Sequence, residues 1–85
     1  MRNVITVKDS NNQDMIVELL FNFKIDKLGK EYMVYTINDD NVSETVNIFI
    51  SEVEYENNIP KIVPIKDDEK EMVLMFYDSI RQLNN

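Results

Sequence analysis

Apolar side chains occupy every second position from Met15 to Ile25: Met15, Val17, Leu19, Phe21, Phe23 and Ile25. The positions between them are mixed: Ile16, Glu18, Leu20, Asn22 and Lys24. A period of two predicts a strand with one face buried. A second such run, Lys30 to Ile37, follows directly, and Gly29 stands at the junction. It is the only glycine of the chain, and a glycine between two alternating runs predicts a β-hairpin. In the expected register Lys27 and Leu28 form a type I turn and Gly29 takes the left-handed position. Asp26 then closes on Lys30 as an opposite-charge pair, Phe23 faces Met33, Phe21 faces Tyr35 and Leu19 faces Ile37. A slip by one sets Asp26 against Glu31 and Lys27 against Lys30, and like charges directly opposite destabilise a sheet. Asp26, Gly29 and Lys30 are therefore read as the structural turn. Gly29→Val is expected to be strongly destabilising.

The same reading extends along the chain. Asn3–Val7 is a short first strand, and residues 9–14 form a polar turn. Residues 38–44 form a loop. A fourth strand runs from about Thr45 to Tyr55. Its apolar phase moves from Val46, Ile48 and Ile50 to Val53 and Tyr55, which suggests a bulge near Ser51 and Glu52. Asn57-Asn58 offers a tight turn that sets Glu54 opposite Lys61 and Val53 opposite Ile62. Ile59–Ile65 holds Pro60 and Pro64 and reads as an edge strand. A helix begins at Asp67, with Asp68 and Glu71 arranged like a capping box. Met72, Phe76, Ile80 and Leu83 form its apolar stripe, with Val73 beside it. The expected fold is α+β: one domain over residues 1–85, an antiparallel sheet of about five strands built from hairpins, and one C-terminal helix packed on a face.

Composition narrows the chemistry. The chain lacks Cys and His, so disulfides, thiolate metal sites and the commonest general base are absent. An apolar content of 44% is enough for a hydrophobic core. No apolar run reaches the roughly 18 residues of a membrane span, and no signal peptide is legible in Met1–Ile5. A cytoplasmic location is expected. The net charge is −7. Residues 38–71 carry the whole excess, ten acids against three bases. Such a surface repels phosphate backbones and favours solubility or a basic partner.

The stretch Gly29-Lys-Glu-Tyr-Met-Val-Tyr-Thr36, with Leu20-Phe-Asn-Phe23 before it, resembles the YrzB-like family of small acidic bacterial proteins. Ile5-Thr-Val-Lys-Asp9 and Val63-Pro-Ile-Lys-Asp-Asp68 resemble it as well. The resemblance covers nearly the whole chain and implies a small cytoplasmic bacterial protein. Its members are described as a domain of unknown function, so it carries over no catalytic or binding residue. This chain holds fewer acids and more Asn than is usual there.

Few constellations suggest chemistry. Asp39-x-Asn41-x-Ser43 imitates the start of a calcium loop, but Glu44 replaces the required Gly and Ile50 the bidentate Glu. Asp67, Asp68, Glu69 and Glu71 could hold a hard cation, though capping and dipole roles explain them more simply. Glu18 is the best-placed carboxylate for hydrolysis, on a strand face that more simply meets solvent. Tyr32 and Tyr35 with Lys24 and Lys30 could stack bases, against the grain of the charge. Leu74 falls with Lys70, Tyr77 and Arg81 away from the core stripe, with Met75 at the flank. Leu74, Met75, Tyr77 and Arg81 are therefore the candidate partner contact. The chain is read as non-enzymatic, without cofactor, metal site, nucleic acid or membrane. It is expected to be a protein-interaction or regulatory module that meets a basic surface or a second copy. The alternatives are a carboxylate-based metal-binding or hydrolytic protein, and an acidic mimic of nucleic-acid charge that occupies a basic protein.

Overall fold

The computed structural model describes residues 3–37 and 47–83. The fold is α+β: five strands, β1 (Val4–Lys8), β2 (Asp14–Ile25), β3 (Lys30–Thr36), β4 (Phe49–Glu56) and β5 (Ile59–Val63), then a 3₁₀ turn (Asp67–Glu69) and one helix, α1 (Lys70–Leu83). Each strand pairs antiparallel with the next in sequence. The sheet curls until β5 meets β1 in a single parallel pair, Lys8 with Lys61, which closes a barrel. The expectation of β5 as a free edge is thereby corrected. Its two prolines are still accommodated, because only one residue of β5 joins β1 and Pro64 lies beyond the strand.

Two cores share this sheet. Inside the barrel, Val7, Val17, Met33, Tyr35, Val53 and Ile62 pack together, with Ile5, Met15 and Leu19 against them, so every strand contributes. On the outer face, Phe23, Ile25, Tyr32, Val34 and the helical Val73 form a second cluster, joined by Phe21, Leu28, Ile50, Ile65, Met72, Tyr77 and Ile80. The helix packs there, and β3 lies between the two cores, which is why Tyr32–Thr36 is buried without a break. The long run of β2 serves both. Leu19 pairs with Tyr35 and Phe21 with Val34, so Leu20 is an extra residue, a β-bulge. The bulge reverses the side-chain phase. Met15, Val17 and Leu19 therefore face the barrel, while Phe21, Phe23 and Ile25 face the helix. The expected single buried face is corrected to two half-faces.

The hairpin register is corrected too. Ile25, rather than Asp26, closes the turn against Lys30, and Phe23 faces Tyr32. Four residues, Asp26–Gly29, make the connection. The Gly29 N–H donates to the Ile25 carbonyl at 2.9 Å, and Gly29 sits at φ +64° as expected. An Asp26–Lys30 pair is worth only about 0.2–1 kcal/mol. The observed register instead aligns Phe21, Phe23 and Ile25 with Tyr32 and Val34 on one face, and burying one such side chain is worth about 1.5–3 kcal/mol. It also sets Lys24 opposite Glu31, so no charge pair is sacrificed.

In β4 the pairing runs without irregularity on both sides, so the expected bulge at Ser51 and Glu52 is absent. The apolar phase change there reflects two cores: Ile50 serves the outer one and Val53 the barrel. Thr45 and Val46 lie outside the described residues. Asn57 and Asn58, at φ 53° and 68°, make the expected tight turn, with Glu54 opposite Lys61 and Val53 opposite Ile62.

Candidate interaction surface

At 100° per residue the apolar positions of α1 could face the sheet in more than one rotation. The structure selects the one in which Val73 is fully buried and Met72, Tyr77 and Ile80 flank it. Tyr77 lies flat on Phe21, with ring centroids 6.1 Å apart and planes within 5°. That stack turns the expected stripe: Phe76 is 41% exposed and Leu83 is 85% exposed. The candidate contact set thus divides. Leu74 (53% exposed) and Met75 (63% exposed) are open to solvent. Tyr77 is half-buried on the sheet side, and the Arg81 guanidinium lies 5.9 Å over its ring.

The helix therefore has two unlike flanks. On the Tyr77 side stand Lys70, Leu74 and Arg81. On the other, turned away from Phe21, stand Met72, Met75, Phe76, Ser79 and Leu83. The polar edge between Leu74 and Met75 carries Glu71, Asp78 and Gln82. Asp78 also reaches Arg81, 3.7 Å away. Sequence reasoning missed Phe76 and Leu83 as surface residues because it assigned them to the core. The signal that could have corrected it was Tyr77, whose wide ring and polar tip suit the margin of a core.

The foot of the helix is held by charge. The Lys30 ammonium donates to both carboxylate oxygens of Glu69, at 2.8 and 3.1 Å, and lies 3.3 Å from Glu52. Glu52 is only 7% exposed, so Lys30 neutralises a carboxylate that water barely reaches. The bond to Glu69 raises the Lys30 pKa above its ordinary value, with Glu52 adding to the rise and desolvation opposing it. Tyr32 lies beneath this cluster, fully buried, and its hydroxyl has no hydrogen-bond partner among the described residues. Burial, with the charge of Glu69, pushes its pKa up. The expected Asp68 cap is absent: Asp68 lies inside the 3₁₀ turn, whose N-cap Lys66 makes no side-chain cap bond. Asp67 pairs with Lys70 at 3.0 Å.

The remaining candidates separate as follows. Among the described residues, no three His, Cys, Asp or Glu side chains gather in a way that could hold a metal ion. Asp39, Asn41 and Ser43 lie outside the described residues. Glu18 is half-buried opposite Thr36. Tyr32 and Tyr35 are buried on opposite faces of β3, so neither offers a ring to a base. Tyr32 shares the face of Phe21 and Phe23, where the expected register, with Phe23 facing Met33, would have set it on the other face. Asp26 and Lys30 do not pair as expected: Asp26 is exposed, and Lys30 serves Glu69 and Glu52. At the open barrel margin the Tyr55 hydroxyl donates to Glu31 at 2.6 Å, and the Asn22 amide donates to the same carboxylate at 2.8 Å. Among the described residues no helix is long and apolar enough to cross a membrane.

No protein-family model matches the chain, and no curated protein or solved structure matches it.

Proposed function

We propose that this protein is a non-enzymatic interaction module that offers an acidic surface to a basic protein partner in the cytoplasm. One observation carries the reading: on a chain of net charge −7, Met75, Phe76 and Leu83 are exposed together along one helix flank. Scattered single apolar residues are ordinary, but a row on one element costs solubility without contributing to the core. Acids draw a basic partner in, and the apolar row supplies short-range contact.

The test is affinity capture from a native lysate at low and high salt, with a Met75→Ser, Leu83→Ser bait as control. The reading expects basic proteins on the native bait, their release by salt, and their loss from the control. Identical proteins on both baits would remove the helix flank from the interaction. A Tyr77→Asp control is unsuitable, because Tyr77 packs on Phe21 and its loss would disturb the fold. A rise in melting temperature on adding Ca²⁺ or Mg²⁺ would favour the metal-binding alternative, since a ligand bound by the folded state stabilises it.

A further inference from the structure

We propose that the flank of α1 formed by Met72, Met75, Phe76, Ser79 and Leu83 seats a cationic amphipathic helix of a partner protein. The proposal rests on the reading above and gives it a site and a chemistry. The residues recur at intervals of three and four, so they form a row along the axis about 16 Å long at 1.5 Å per residue. Such a row matches a second helix, whose side-chain ridges repeat at the same spacing. An extended strand repeats every second residue and would not stay in step with it. Ser79, small and exposed, sits between Phe76 and Leu83 and puts no bulk in the way of a partner side chain. Two methionines suit a contact that must adapt its shape.

Charge selects the partner. The ionisable groups bordering the row on its polar edge are Glu71 and Asp78. Arg81, held over Tyr77 on the opposite flank, lies 3.7 Å from Asp78, so among the described residues Glu71 is the acid of that edge with no base beside it. The exposed Asp68 of the preceding turn stands at one end of the row, while Asp67 is engaged by Lys70 at 3.0 Å. At the other end, beside Leu83, the helix dipole presents its negative pole. Lys or Arg at the margins of an incoming apolar stripe would be attracted at both ends of the row and beside Glu71. A second copy is disfavoured: packing two such flanks antiparallel brings Asp78, near the middle of the row, beside its own counterpart, between chains that each carry −7. Anionic lipid and nucleic acid are repelled on the same ground.

The test is titration of the isotope-labelled full chain with three short peptides: a helical Leu/Lys amphipath, a scrambled peptide of the same composition, and a Leu/Glu amphipath. The proposal expects amide shifts centred on residues 70–83 with the first peptide, and binding at least about tenfold weaker with the scramble. Met75→Ser with Leu83→Ser should weaken binding by a similar factor, about tenfold or more, while Leu74→Ser changes it by less than about twofold. Unchanged thermal midpoints confirm that these exposed substitutions leave the fold intact. Equal binding of the scramble would overturn the seat and leave the acidic-surface reading standing. Absence of binding by either cationic peptide would overturn both. Equal binding of the Leu/Glu peptide would overturn the charge argument. A dimer in sedimentation that Leu83→Ser dissolves would make a second copy the occupant and overturn the proposal.

Discussion

Lys30, the first residue of β3, grips Glu69 at the foot of the helix with its ammonium 2.8 Å from one carboxylate oxygen. The same ammonium neutralises the buried Glu52 on β4, so one side chain ties hairpin, sheet and helix together. The Lys30 pKa is raised by its bond to Glu69, and the Tyr32 pKa is raised by burial. The Tyr55 pKa is raised by the bond its hydroxyl donates to Glu31. In each case the folded state holds its proton more tightly than the unfolded chain. These contributions are complete below the unfolded values, near pH 10 for Tyr and about 10.4 for Lys, and are lost as pH rises through the folded ones. Urea midpoints measured from about pH 8 to about pH 11 should therefore fall at the alkaline end. The fall should be shallower in Lys30→Met and in Tyr32→Phe. Equal steepness in the native chain and both variants would refute this.

Tyr32→Phe has a second consequence near neutral pH. A buried hydroxyl without a partner is unfavourable, by about 1–3 kcal/mol for a full desolvation penalty. Removing it while keeping the ring, which stacks on Phe23 at 5.5 Å, should leave stability unchanged or raise it by up to about 1 kcal/mol. A clear loss in a urea titration would show that the hydroxyl is satisfied in solution.

Gly29 sits at φ +64°, yet a Cβ placed there meets nothing within 4 Å. The cost of substitution is thus the backbone's alone, about 1–2 kcal/mol for a residue with a side chain. Gly29→Asn should cost less than Gly29→Val, because Asn tolerates the left-handed region. Val should fall at the upper end of that range without abolishing the fold, a milder outcome than the sequence alone suggests. Equal midpoints for the two variants in chemical denaturation would contradict this.

The two flanks of the helix should separate cleanly in stability. Tyr77→Ala loses its packing and its stack on Phe21 and should cost about 3 kcal/mol. Leu83→Ser should stay within about 0.5 kcal/mol of the native chain. Thermal or urea unfolding of the pair checks it, and a reversed order would mean that the helix sits in another rotation.

Asn58→Gly should stabilise the β4–β5 hairpin by a few tenths of a kcal/mol, roughly the margin by which Gly exceeds Asn at positive φ. Asn57 and Asn58 both occupy that region already, so the turn need not change. A lowered midpoint would indicate that the Asn58 side chain has a role of its own.

Much of this architecture was legible because it is local. The hairpins, the positive φ at Gly29 and Asn57-Asn58, and the β4–β5 register all follow from turn chemistry and alternation. The misreadings in the strands have one cause. Alternation indicates that a face is buried, but not against which core. Val17 and Phe23 share a parity in sequence yet serve different clusters, because Leu20 intervenes. The rotation of α1 was equally hidden, since Phe76 and Tyr77 both fit an apolar stripe and only the Phe21 ring decides between them. Lys30 looked like half of a turn pair because its true partners, Glu52 and Glu69, are remote in sequence.

The Lys8–Lys61 pair, the one register point among the described residues where β5 pairs with β1, should set the order of events when the chain folds. Every other strand pair joins sequence neighbours, so the ladder can grow pair by pair with less loop-closure entropy than the seam requires. The seam must wait for all five strands, and it is held by the least hydrogen bonding. It is therefore the last join to form and the first to open. In hydrogen exchange the amides of β1 that face the seam should lose protection ahead of those in β3, which is walled by a core on either side.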